Sequence, residues 1–155
     1  MTNKGETWSL GAGLEGKGVI VTGAAGGIGR AIVQAFDSAG ARICAVDRLE
    51  GSVGEVVAGL NYPERHLAMG VDLADLRTHA DVFASAQRIL GRVDVLAHAA
   101  AMLRRRKSVL EITEEDWDLQ LNMNLKATFF LNMKAASAWP QVITAWRTGS
   151  GRAVV

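Results

Sequence analysis

The sequence predicts a doubly wound α/β domain, and three observations carry that expectation. Short β-branched runs alternate with longer stretches of helical period, the pattern of strand-helix-strand units around a parallel sheet. A glycine-rich turn stands where the first run gives way to the first helical stretch. An acidic residue, Asp47, ends the second run about 20 residues after that turn, close to the spacing of acid and glycine turn in such strand-helix-strand units.

In chain order, 18–22 (GVIVT), 42–47 (RICAVD), 66–71 (HLAMGV) and 93–97 (VDVLA) read as buried strands, and 152–155 as the start of a fifth. From Gly27 the apolar positions Ile28, Ile32, Ala35, Phe36 and Ala39 recur at helical spacing and stop at Gly40, a suitable C-terminal cap. Val53, Val56, Val57 and Leu60 predict a short second helix ending before Pro63. Val82, Phe83, Ala86, Ile89 and Leu90 predict a third, closed at Gly91. Thr113 followed by Glu114, Glu115 and Asp116 reads as an N-cap with an acidic first turn, opening a helix that carries Trp117. A long helical stretch from about Asn124 to the region of Trp139 follows.

Composition narrows the function classes. The chain has 155 residues, enough for one domain of ordinary size, and 49% hydrophobic with 21% charged residues suits a packed core. Seventeen basic against 16 acidic residues give a net charge of +1, which argues against a basic nucleic-acid-binding domain. Cys44 is the one cysteine, so an internal disulfide framework and CxxC motifs are excluded, and no metal site is expected. No apolar run approaches the roughly 18 residues of a membrane span, and 1–17 lacks the pattern of a secretory leader. A cytoplasmic protein is expected.

The segment Thr22-Gly23-Ala24-Ala25-Gly26-Gly27-Ile28-Gly29 is the most informative. At a strand-to-helix junction, glycines let backbone N–H groups approach a pyrophosphate, and the helix N-terminus adds partial positive charge. Gly23 would make the sharp turn, Gly27 would allow close approach of the phosphates, and Gly29 would let the helix pack tightly on the strand. The bland alternative is a tight turn with no ligand. Asp47 suits the adenosine ribose hydroxyls and repels a 2′-phosphate, which favours NAD over NADP. Arg48 complicates this, since an arginine beside the ribose can pair a phosphate. A solvent-facing residue is its bland reading.

These residues resemble the short-chain dehydrogenases/reductases, whose cofactor loop TGxxxGxG is matched by Thr22, Gly23, Gly27 and Gly29. The segment 14–17 (LEGK) and Asp47 are also similar to that family. The resemblance implies a Rossmann-like sheet of strand order 3-2-1-4-5 and reversible hydride transfer between a nicotinamide and an alcohol or carbonyl. It makes Asp72, in Val71-Asp72-Leu73, the adenine-ring aspartate, with an N-cap for the third helix as the plainer reading. Ile28 and Leu73, beside matched residues, join the implied cofactor set. The second asparagine of 117–126 (WDLQLNMNLK), Asn124, falls where the family keeps an active-site asparagine whose backbone carbonyl helps hold a water of the proton relay. An ordinary polar helix position is the alternative.

Two departures matter. Where the family has Asn-Asn-Ala-Gly after the fourth strand, this chain has His98-Ala99-Ala100-Ala101. Small residues still permit close backbone approach to the cofactor at His98, Ala99 and Ala100, but the asparagine side-chain bonds are gone. His98 tempts as a catalytic base, yet nothing in the sequence orients it, so a structural role is the better expectation. The family's catalytic serine and Tyr-x-x-x-Lys pair are also missing: Tyr62 is the one tyrosine, and four residues later stands His66. Residues 151–155 resemble the approach to that serine, so residues 1–155 are expected to be the dinucleotide-binding part of a family member, truncated after the start of the fifth strand. The competing expectations are a non-catalytic dinucleotide-binding or regulatory module and a nonfunctional fragment.

The remaining features discriminate less. Arg104-Arg105-Arg106-Lys107 reads as a solvated loop beside the cleft, offset by Glu111, Glu114, Glu115 and Asp116. The four tryptophans, Trp8, Trp117, Trp139 and Trp146, are too scattered for a base-stacking platform and are expected to pack. The helix around Phe129, Phe130 and Met133 is apolar on more than one side, and the resemblance implies a partner subunit on its second face, hence a homo-oligomer. The expected partner is a small alcohol or carbonyl substrate, with neither nucleic acid nor membrane.

Overall fold

The computed structural model describes residues 13–138. Four parallel strands, β1 (Gly18–Thr22), β2 (Arg42–Asp47), β3 (Leu67–Gly70) and β4 (Val95–His98), lie in the order β3-β2-β1-β4. The helices are α1 (Gly27–Ser38), α2 (Glu50–Ala58), α3 (His79–Leu90), α4 (Glu114–Leu121) and α5 (Thr128–Ala138). The expected fifth strand lies outside the described residues.

Strand alternation sorts the core into two layers, because successive side chains point to opposite faces of a sheet. Val19, Val21, Ile43 and Ala45 pack with Val33 of α1 and with Val53, Val56 and Val57 of α2 on one side. Ile20, Cys44 and Val46 pack with Val82, Phe83 and Ala86 of α3 and with Leu131 and Ala135 of α5 on the other. Each fully buried valine, isoleucine or leucine of these layers contributes about 1.5–3 kcal/mol of transfer free energy. Burial among hydrocarbon also pushes the Cys44 thiol up to about 12, which leaves it inert.

The structure moves several expected boundaries. In α1 the inward face is Gly29, Ile32, Val33 and Phe36, whereas Ile28 is 75% exposed and Ala35 is exposed too. The expected stripe of Ile28, Ile32, Ala35, Phe36 and Ala39 is thus turned by one position, because Gly29 sits against the loop. β3 begins at Leu67 because the ring of His66 takes over a ladder position: its Nδ1 accepts from the Ile43 N–H at 3.1 Å. β4 begins at Val95, since Asp94 instead meets Gly18, its side chain accepting from the Gly18 N–H at 2.9 Å. The helix carrying Trp117 does not end before Asn124. It runs on through a π-helical segment, Asn122–Ala127, into α5.

Candidate functional site

β1 has β2 on one side and β4 on the other, so the chain's crossovers leave it in opposite directions and open a crevice at the carboxyl ends of the strands. A cleft of about 620 Å³ occupies that crevice. Gly23 and Gly26 of the glycine loop form one wall, Asp47 and Arg48 follow β2, Asp72, Leu73 and Ala74 follow β3, and Ala99 to Arg104 follow β4. Met123 of the π-helical segment helps close it.

The loop owes its shape to backbone geometry. Gly23 has a φ of 65°, and a Cβ there would run into the backbone of Ala99 and Ala100. A Cβ on Gly29 would overlap the carbonyl oxygen of Gly23, so Gly29 seats the helix on its own loop rather than on the strand. Gly27 opens α1 with open space where a Cβ would stand. α1 has no side-chain cap, so its first-turn N–H groups keep their capacity for an external acceptor. The carboxylate of Asp47 accepts from the Ala25 N–H at 2.9 Å and from the Arg48 N–H at 2.7 Å.

Thr22 is fully buried, and its hydroxyl accepts from the N–H groups of Ala99 and Ala100, both at 3.3 Å. It fastens the end of β1 to the chain leaving β4 rather than facing the cleft. Asp72 does not cap α3: its carboxylate accepts from the Ala74 N–H at 2.9 Å, while Thr78 precedes the first helical residue, His79. His98 is exposed at the end of β4, with its Nε2 3.0 Å from Asn132 Oδ1. This is the structural partner that sequence alone did not provide.

Asn124 lies in the π-helical segment, and its side chain clamps the loop leaving β4. Its Oδ1 accepts from the Met102 N–H at 2.7 Å and its Nδ2 donates to the Met102 carbonyl at 2.8 Å. Gln120 adds a longer bond from the Arg104 N–H, 3.3 Å. Together these turn the residues after His98 into one wall of the cleft.

The basic run departs from its expected solvation at one position. Arg106 forms a two-pronged ion pair with Asp116, at 2.7 and 2.8 Å, and Asp116 is 4% exposed. Asp116 also belongs to a reciprocal capping box with Thr113 at the start of α4. Those hydrogen bonds, Arg106's first, hold its carboxyl down to about 2. Trp117 is 60% exposed and does not pack as expected; the other tryptophans lie outside the described residues.

Of the expected binding residues, Gly23, Asp47, Arg48, Asp72, Leu73, Ala99 and Ala100 line the cleft, whereas Thr22, Gly27, Ile28, Gly29 and His98 stand behind or beside it, as does Asn124, the expected catalytic residue. Arg104, expected in a loop beside the cleft, lines it, and sequence reasoning missed Gly26, Ala74, Met123 and further lining residues of 101–103 and 119–122. Gly26 and Ala74 adjoin recognised residues and were within reach; Met123 is placed by the π-helical segment, which no periodicity announces. Among the described residues no cluster of three His, Cys, Asp or Glu side chains is placed to hold a metal ion, and no helix is long and apolar enough to cross a membrane.

Comparison with known proteins agrees with this geometry. The chain is 34% identical over 115 residues to a NAD-dependent glycerol dehydrogenase of Listeria innocua, covering 74% of this chain and 44% of that protein. It is 39% identical over 123 residues to a D-threitol dehydrogenase of Mycolicibacterium smegmatis, covering 76% and 45%. A crystal structure of a glucose/ribitol-type short-chain dehydrogenase/reductase from Brucella melitensis superposes with a TM-score of 0.75 at 30% identity, over 81% of this chain and 52% of that one. The chain therefore spans about half the length of the relatives it matches. With the short chain dehydrogenase model matching residues 17–154, over the same strands and glycine loop that build the cleft, the chain belongs to the short-chain dehydrogenase family.

Proposed function

We propose that this chain is the NAD-binding portion of an oxidoreductase that moves a hydride between a nicotinamide cofactor and an alcohol or carbonyl. The observation that carries the reading is the union of loop and acid: Asp47 and the glycine loop share a hydrogen bond at the mouth of one cleft. The open space over Gly27 and the uncapped first turn of α1 fit a pyrophosphate. When bound, the nicotinamide supplies the hydride chemistry.

The chain's own residues bind and orient. The N–H groups of Gly27, Ile28 and Gly29 take the phosphates, with Gly23 and Thr22 fixing the turn beneath them. Asp47 accepts from the adenosine ribose and disfavours a 2′-phosphate, so NAD is the proposed cofactor; Arg48 remains at the solvent edge. Asp72 and Leu73 meet the adenine, and the backbone of His98, Ala99 and Ala100 borders the far half. Asn124 is the proposed catalytic residue, through its backbone carbonyl. The π-helical turn at this position supports this, since such turns occur frequently at functional sites.

The relatives named above are dehydrogenases, which supports hydride transfer over a purely regulatory module. A small alcohol or carbonyl is the proposed substrate, and the cytoplasm the proposed location. Leu131 and Ala135 of α5 are buried while Phe129 is 56% and Met133 55% exposed, which supports a second copy of the chain on that outer face. Titration of the folded chain with NADH, followed by calorimetry and nicotinamide fluorescence, tests the reading. Binding at micromolar to millimolar cofactor is expected; no heat and no fluorescence change, with circular dichroism intact, overturns it.

A further inference from the structure

Resting on that reading of the cleft, we infer that His79 is a positioning residue, holding the Asp72–Leu73 segment in the shape that receives an adenine base. His79 is the first residue of α3, it is 1% exposed, and it faces the same layer as Val82 and Phe83. Its Nε2 lies 2.8 Å from the Leu73 carbonyl oxygen, in a buried setting. A carbonyl can only accept, so Nε2 carries the proton and the ring is the Nε2–H tautomer. The other nitrogen, Nδ1, is buried and has no hydrogen-bond partner.

That orphaned atom is the informative one. A buried acceptor without a donor carries a desolvation penalty, and a leucine would fill the same space without it. What histidine supplies and leucine does not is the bond to Leu73. The segment is held from its exposed side as well. Thr78 Oγ1 donates to the Asp75 carbonyl at 2.8 Å, with the Asp72 carbonyl at 3.3 Å as the weaker branch of the same bond, and Asp72 holds the Ala74 N–H. Leu73, 5% exposed, lines the cleft, and the histidine fixes its carbonyl from within. With that carbonyl fixed, the Leu73 peptide plane and the Asp72 side chain present a constant edge to a planar base.

The test separates position from stability. His79→Leu is expected to weaken AMP binding several-fold in NMR titrations while leaving nicotinamide mononucleotide binding unchanged, and to speed amide exchange at Leu73 and Ala74 but not in the middle of α3. His79→Gln, whose Nε2 can reach the same carbonyl, is expected to restore AMP binding. Nitrogen-15 spectra of the unmodified chain are expected to show the neutral Nε2–H tautomer, a readout that stands even if His79→Leu fails to fold. The Nδ1–H tautomer, or equal AMP affinity in a folded His79→Leu, overturns the inference alone. An unmodified chain that binds neither NADH nor AMP overturns the reading of the cleft and this inference with it.

Discussion

The Asp47 carboxylate accepts a 2.9 Å hydrogen bond from the backbone N–H of Ala25, joining the end of β2 to the middle of the glycine loop. The acid that is proposed to meet the ribose therefore also holds the loop that is proposed to meet the phosphates. Its other oxygen is occupied by the Arg48 N–H at 2.7 Å. Charge and architecture are combined in one side chain, and substitutions can separate them.

Asp47→Asn keeps one oxygen that can accept from Ala25, removes the charge and turns a donor amide toward the Arg48 N–H. It should shift preference toward NADPH while the tie to Ala25 is kept. Asp47→Ala loses the tie as well, and a hydrogen bond to a charged acceptor is worth about 1.5–3 kcal/mol. That variant should bind both cofactors more weakly. Paired titrations with NADH and NADPH measure the two effects. An unmodified chain that prefers NADPH would show that Asp47 does not set the choice.

The glycines at 27 and 29 should respond in opposite ways. Gly29→Ala places a methyl group into the Gly23 carbonyl, so the loop must shift, and destabilisation of about 1–3 kcal/mol is expected. Gly27→Val meets open space and should unfold within about 0.5 kcal/mol of the unmodified chain. Its side chain nevertheless occupies the approach to the phosphates, and NADH affinity should fall at least tenfold. Urea midpoints and titrations on the same samples decide the matter; a Gly27→Val chain that binds normally would remove the loop from the proposed site.

Much of this arrangement was legible because it rests on local chemistry. The strand ends at Thr22 and Asp47, the turn at Gly23 and the carboxylate spacing all follow from residue type and period. The inward face of α1 was not legible, since the contact between Gly29 and Gly23 that turns it by one position leaves no mark on the helical period. Nor were the long-range bonds. Arg106 meets Asp116, Asn124 meets Met102 and His98 meets Asn132 only once the chain leaving β4 folds back against α4, the π-helical segment and α5, which no local period dictates. The π-helical turn at Asn122–Ala127 likewise has no periodic signature.

The Arg106–Asp116 pair makes stability depend on acid. The carboxyl titrates at about 2 in the folded chain against 3.8 ordinarily, chiefly because the guanidinium hydrogen bonds to it. A depressed acid stabilises the fold fully above its unfolded value and loses that contribution as pH falls through its folded value. Arg106→Met should therefore be less stable at neutral pH, with the difference shrinking as pH falls from about 4 to about 2. Urea unfolding across that range checks it. A difference that persists undiminished at pH 2 would mean that the arginine acts through its aliphatic packing instead.

The residues 1–155 are expected to bind a nicotinamide cofactor without reducing a ketone at an enzyme's rate. Hydride transfer to a carbonyl leaves an alkoxide unless a proton arrives with it. The tyrosine of this sequence cannot deliver one at the cleft, because Tyr62 stands 65% exposed beyond α2, where Arg65 lies over its ring. His98 is nearer, but its Nε2 is engaged with Asn132, and among the described residues no carboxylate forms an ion pair with its ring. The backbone carbonyl proposed for Asn124 can orient a water and has no proton of its own to give. NADH absorbance followed with a panel of ketones, in a preparation free of host dehydrogenases, should therefore stay at background. Turnover that disappears in His98→Ala would make the imidazole the proton donor and would reassign the Asn132 contact as the device that orients it.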